Sequence, residues 1–340
     1  MNSRERFMAA LEGLPVDRLP VVSVCQHATY DQMEKLDTYW PEANRKAEDM
    51  ARLASGAFSI LGFDAVRVPF CQTHELEALG AQLKKMDNKN LPSVDVHPYK
   101  IGDEAEFPDD FLSRGRIPEL IKAVSILKEE LGEKVIVIGG IIGPFSIAAS
   151  LVGITDMIKA AWKKPESVRQ YIEIGERAGT TLAKAMIEAG ADIIVVEDMM
   201  ASLDIVSPKI YRELCFPYEK KQVEQLNVPV IIHICGKLDK IIVDVAKTGC
   251  AAISVEPVVN VEEALEKFKA EGLSAPLIGA VHPVESLFLG NPEKVKQETL
   301  DYIKKGVSMI SPGCAVPPGT KIENLKAMVE AVNEAANITQ

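Results

Sequence analysis

A (β/α)8 barrel is the fold this sequence predicts, on three observations. Eight apolar runs of strand length recur along its 340 residues. Amphipathic helical patterns separate most of them. Most runs are near-continuously hydrophobic, as expected of parallel strands covered on both faces.

Taken in order, the strands are LPVVSVCQ (19–26), FDAVRVPF (63–70), KVIVIGGII (134–142) and ADIIVVEDMM (191–200). VPVIIHIC (228–235), AAISVEP (251–257), APLIGAVHP (275–283) and GVSMISPGC (306–314) complete the eight. RKAEDMARLASGAFSIL leads to the second strand and PELIKAVSILKEELG to the third, while a long segment from 157 to 190 carries more than one helix before the fourth. SPKIYRELCFPYEKKQVEQL, LDKIIVDVAKTG, VEEALEKFKAEG and PEKVKQETLDYIKKG fill the later gaps, several closing with Gly at the usual C-cap position. The first helix, RERFMAAL, reads as a plug for the barrel bottom. An open doubly wound sheet is the competing fold, but no G-x-G-x-x-G follows any strand. The chain is expected to form a single domain over 1–340. Residues 71–115, with Pro92, Pro98 and Pro108, read as an elaborated loop over the strand C-termini, with room for a small hairpin.

Composition narrows the function. With 49 acidic against 38 basic residues the net charge is −11, which disfavours nucleic-acid and anionic-membrane partners. No apolar run approaches the roughly 20 residues that span a bilayer, and the charged N-terminus has no signal-peptide core. A cytoplasmic protein is expected. The six cysteines are scattered, which suits a reducing compartment where they act as core residues, metal ligands or catalysts.

In such barrels the chemistry stands where strands end. The polar groups there are Gln26, Glu197, Asp198, His233, Cys235, Glu256, His282 and Cys314. A cysteine on a strand is usually a small buried hydrophobe, the expectation for Cys25, Cys215 and Cys250. A lone His-x-Cys is equally weak evidence. Position changes this: the alternation of a strand puts His233 and Cys235 on one face. Strand eight returns beside strand one in a closed barrel, so Cys314 can face them across the mouth. It sits in SPGCAVPPGT, a loop stiffened by glycine and proline. Two thiolates and one imidazole with a fourth, labile place suit Zn²⁺, and Glu256 can fill that place until substrate arrives. Such a site is formally neutral and favours an incoming thiol as its thiolate, which suits alkylation of sulfur better than activation of water.

The opening SRERFMAALEGLPVDRLPVV is similar to that of the uroporphyrinogen decarboxylase superfamily. YWPEAN, GFDAVRVPF, GPFSIAASLVG, HICG and SPGCAVPPGT resemble more closely its zinc branch, the methylcobamide:coenzyme M methyltransferases, over nearly the whole chain. The resemblance implies a uroporphyrinogen decarboxylase-like barrel that takes methyl from a methylated corrinoid (cobamide) protein and gives it to coenzyme M, 2-mercaptoethanesulfonate, as in methanogenesis. It implies His233, Cys235 and Cys314 as zinc ligands and Glu256 as the acidic ligand displaced by the substrate thiol. The corrinoid would lie over the barrel mouth. Arg67, an isolated charge in an apolar strand, is a candidate for the sulfonate, with a structural ion pair as its other reading. His282 is a candidate for orienting a ligand or the corrinoid tail, and Asp198 for a catalytic role. Where this branch is expected to carry an acidic residue after strand two, the chain has Cys71. Three alternatives stay open: demethylation of a small donor such as an aryl methyl ether to load the corrinoid, metal-free decarboxylation of tetrapyrrole acetates, and a non-enzymatic corrinoid-binding or chaperone module, which would have no need of three aligned soft ligands. The second needs an arginine-rich pocket, for which Arg4, Arg6 and Arg18 are the nearby candidates.

Overall fold

The computed structural model describes residues 1–339. Six parallel strands lie in sequence order: Ala65–Val68, Ile136–Ile142, Ile193–Glu197, Val230–His233, Ala252–Ser254 and Leu277–Ile278. Two further segments close the ring. Met309 bridges Ile278, Ile310 bridges Val21, and the Asp64 amide donates to the Val21 carbonyl at 2.7 Å. These join the second strand to the seventh through residues 20–22 and 309–312, so the eight predicted strands are borne out as a barrel. The two closing segments pair only through isolated bridges, and Pro20 and Pro312, having no N–H to donate, each leave a gap in the ladder.

The period of two along each strand builds two cores. Ala65, Ile136, Ile138, Ile193, Val195, Ile231, Ala252 and Ile278 point inward and meet each other inside the barrel. Their neighbours Val66, Val137, Ile194, Val196, Ile232, Ile253 and Leu277 point outward, under the helices. The helix Ser3–Leu11, started by a capping box between Asn2 and Glu5, adds Phe7, Ala10 and Leu11 to the inner core. It therefore plugs the end at which the strands begin. Arg6 and Arg18 bind Asp64, and Arg4 binds Asp192, the residues just before the second and fourth strands. All three N-terminal arginines thus latch the bottom of the barrel, at the end opposite the strand termini.

At the other end the connections are longer. Residues 71–115 hold a short helix, His74–Ala78, and a two-stranded hairpin, Gln82–Leu83 with Val94–Val96. After the third strand come two extra helices, Pro144–Val152 and Ile154–Lys163, before the returning helix Arg169–Glu188. Among the described residues no single helix is long and apolar enough to cross a membrane.

Candidate metal centre

The inward-facing parity that places Ile231 in the inner core carries on to His233 and Cys235, so both leave the fifth strand pointing into the mouth. Gly236 follows at φ +71°, where a Cβ would strike Asp204 and Ser202, so the chain turns sharply after Cys235 at a position only glycine fits. Gly313 packs flat against Pro257 and the Glu256 backbone, which seats the Cys314 loop beside the sixth strand's end.

The result is one group of donors. Ligand atoms of His233, Cys235, Glu256 and Cys314 all lie within 4.8 Å of one another. Cys235 Sγ is 3.6 Å from Cys314 Sγ and 3.5 Å from His233 Nε2. A tetrahedral ion with bonds of about 2.3 Å to sulfur and 2.0–2.1 Å to nitrogen requires ligand separations of about 3.8 and 3.6 Å. These donors therefore stand at the spacing such an ion needs. His233 Nδ1 is 3.0 Å from Ser254 Oγ, a partner that turns Nε2 toward the sulfurs.

The electrostatics point the same way. The hydrogen bond from Cys235, then that from Cys25, holds the Cys314 thiol far below its ordinary value, making it the thiolate of the group. Cys235 is driven far up, first by its bond to Cys314 and then by burial. Burial lowers the pKa of His233, but its hydrogen bond with Cys314 and that sulfur's charge outweigh this and leave it raised. Burial first, then the charge on Cys314, raises Glu256. Metal-free, the group crowds negative charge into a half-buried space; a divalent cation relieves it.

His233, Cys235 and Cys314 form one wall of a cavity of about 560 Å³ at the mouth, whose other walls include Gln26, Arg67, Phe70, Cys71, Gln72, Leu91, His97, Ile154 and Glu197. Arg67 and Glu197 share the inward parity of the second and fourth strands. They pair across the barrel, and Gln72 donates to the same carboxylate. Gly140 lies between them, where any Cβ would strike the Arg67 guanidinium. Arg67 Nε has no partner. Gln26 donates to the carbonyl of Val316, tying the first strand's end to the Cys314 loop.

Two predicted site residues are not brought here. Asp198 is fully buried behind the wall, where its carboxylate accepts from the amides of Phe145 and Ser146 and from Ser146 Oγ at 2.6 Å. It caps the helix Pro144–Val152, and burial lifts its pKa to about 6. His282 caps the helical turn Pro283–Phe288, its Nδ1 accepting from the amides of Val284 and Glu285, and faces a separate surface hollow. Arg4, Arg6 and Arg18, being at the barrel bottom, supply no arginines to the cavity.

Two cysteines gain roles the sequence did not assign. Cys25 is buried as expected, but it also lines the cavity, and its thiol is raised in pKa first through its interaction with Cys314 and then by burial. Cys71 lines the cavity too, 3.6 Å from His74 Nδ1 and 3.5 Å from Arg116, outside the donor group.

Known proteins resemble this chain over nearly its whole length. A protein named methylcobamide:CoM methyltransferase MtaA, from Methanosarcina barkeri, is 37% identical over 332 residues, covering 97% of each chain. One named methylcobamide:CoM methyltransferase MtbA, from Methanosarcina acetivorans, is 37% identical over 336 residues, covering 96% of each. A solved structure described as a methyltransferase from Methanosarcina mazei superposes with a TM-score of 0.93 at 35% identity, covering 98% of this chain and 99% of that one. The family model described as uroporphyrinogen decarboxylase (URO-D) matches residues 2–335, and on that full-length match the chain belongs to this family.

Proposed function

We propose that this protein is a methyltransferase that moves a methyl group from a methylated corrinoid protein to the thiol of coenzyme M, working as a single barrel domain in the cytoplasm. The observation that carries the reading is the donor group: His233, Cys235, Glu256 and Cys314 within 4.8 Å of one another, the first two and Cys314 lining the mouth cavity. The names of its relatives, which pair methylcobamide with CoM, supply the substrates.

His233, Cys235 and Cys314 would hold zinc, with Glu256 as the exchangeable fourth donor. Zinc so held favours a bound thiol as its thiolate at neutral pH, leaving a nucleophilic sulfur. The chain's own residues do the rest. Ser254 fixes the His233 ring through Nδ1. Glu256, half-buried at the edge of the group, would be the donor that the substrate thiolate replaces. Arg67, with its unpaired Nε, and Gln72 offer donors to the sulfonate, and Glu197 holds both in position. Phe70, Leu76 and Met199 keep water from the reacting sulfur. The substrate sulfur then attacks the methyl carbon in line, the sulfur–carbon bond forming as the cobalt–carbon bond breaks and its electron pair stays with cobalt.

The test is the visible spectrum of methylcobalamin mixed with the protein and 2-mercaptoethanesulfonate. Demethylation that stops with a zinc chelator and returns with added zinc is expected. Zinc-loaded protein that leaves methylcobalamin intact would overturn the reading.

A further inference from the structure

The exposed apolar surface is distributed unevenly. Among the described residues twelve large hydrophobic side chains are exposed, and all but Met1 and Leu14 lie between the carboxyl end of a barrel strand and the helix that returns to the next strand. That is the face on which the metal donors stand. Isolated exposed hydrophobics need no explanation, but their confinement to one face does. The two most exposed, Trp162 at 72% and Leu289 at 71%, both belong to it.

One of these side chains reaches the cavity itself. Ile154 is exposed and also lines it, and Ile154, Ile158 and Trp162 recur every four residues along the helix Ile154–Lys163, a stripe leading outward from the mouth. On another flank the Phe288 ring covers Gly319, so the turn Pro283–Phe288 rests on the loop that carries Cys314. Val258 follows Pro257, which packs on Gly313 of the same loop. One flank therefore borders the cavity, and the other rests on the loop that carries Cys314.

The methyl donor must come to this place. A cavity of about 560 Å³ is of the size that holds a drug-sized ligand. A corrinoid with its nucleotide tail is far larger, so it can meet the acceptor sulfur only at the mouth, with its carrier protein against the rim. Resting on the function proposed above, we propose that two apolar flanks, Ile154–Ile158–Trp162 and Val258–Phe288–Leu289, are the docking surface for the corrinoid-carrying protein, with Trp162 and Leu289 as outer anchors. Large side chains of this kind, clustered around a central cavity, are what binding hot spots are made of.

The experiment compares two methyl donors, free methylcobalamin and a purified corrinoid protein loaded with it, for wild type, Trp162→Ser and Leu289→Asp. Both positions are exposed enough to change without unfolding the chain, and Phe288, which supports the Cys314 loop, is left alone. With the protein-bound donor each variant is expected to raise KM by on the order of tenfold, with kcat/KM for free methylcobalamin kept within about twofold. Equal losses with both donors, or none with either, would overturn the docking surface. So would variants that abolish self-association in sedimentation or binding to phosphatidylglycerol vesicles while keeping the protein-bound rate, for the face would then serve a second copy or a membrane. Wild type that is inactive with both donors would sink the underlying function; wild type active with free methylcobalamin keeps that function whatever the variants do.

Discussion

Removal of a single oxygen, in Ser254→Ala, tests how the donor group is held. Ser254 is fully buried and its Oγ lies 3.0 Å from Nδ1 of His233, itself 1% exposed. A neutral imidazole carries one N–H and one lone pair. When the serine hydroxyl accepts from Nδ1–H, the lone pair of Nε2 faces Cys235 Sγ at 3.5 Å, which is the tautomer a metal requires. Alanine leaves the Nδ1–H without a partner, at a cost of about 1–3 kcal/mol for a buried donor. The ring can avoid that cost only by moving its proton to Nε2, which turns the lone pair away from the site. Either way the loss falls on metal binding, and zinc affinity is expected to drop by about 10–100-fold, or roughly 1.4–2.7 kcal/mol. Competition against a chromophoric chelator measures this directly. Ser254→Thr keeps the hydroxyl and should recover most of the affinity. A folded Ser254→Ala protein whose zinc Kd lies within twofold of wild type would show that the serine does not orient the ligand.

Two other perturbations read the frame around the site. Gly140→Ala places a methyl group on the Arg67 guanidinium; displacing Arg67 from Glu197 is expected to lower stability by about 1–3 kcal/mol and to raise the KM for 2-mercaptoethanesulfonate. An unchanged urea midpoint and KM would mean that the arginine has room to move. Glu75 is buried and accepts from the Ile142 amide at 2.8 Å; burial lifts its pKa from 4.5 to about 7. The folded state then holds this proton more tightly than the unfolded chain. Stability from this group is full below pH 4.5, falls as pH rises through the window to about 7, and is lost above it. Glu75→Gln keeps the acceptor without the charge, so it should be near neutral at pH 4 and stabilise by about 3 kcal/mol at pH 8. Parallel melting curves for the two proteins across that range would contradict this.

Much of this molecule is legible in the sequence because strand parity is legible. Once 228–235 is a strand ending at a barrel mouth, His233 and Cys235 must share a side, and the loop after strand eight must arrive near them. The same parity would have separated Glu197 from Asp198. Ile193 and Val195 face inward, so Glu197 faces the cavity and Asp198 faces out, to cap the helix Pro144–Val152 that follows the neighbouring third strand. Position along the chain alone singles out Asp198, whereas phase along the strand puts Glu197 at the cavity and Asp198 behind it. His282 was misplaced for another reason: the seventh strand ends at Ile278, and by residue 282 the chain has begun a helical turn whose free amides the imidazole satisfies. Cys25 lies where the first strand has lost its regular ladder beyond residue 22, so no alternation told which way its thiol points. The pairing of Arg67 with Glu197, 130 residues apart, needs the order of strands around the barrel before it can be seen.

The inward residues at the mouth also explain why the site can be rigid and open at once. Arg67, Gly140, Glu197 and His233 are inward positions near the ends of four consecutive strands, and they alternate in bulk: a long cation, no side chain, a carboxylate, an imidazole. Gly140 gives the arginine its path to the glutamate. The ion pair closes the barrel with polar groups where another hydrophobic layer would have filled the space. A buried pair of this kind adds little net stability, so its value lies in geometry. It ends the apolar core at the level of His233, with which Glu197 is in register, and gives the cavity a polar side on which a small anionic thiol can be bound and aimed.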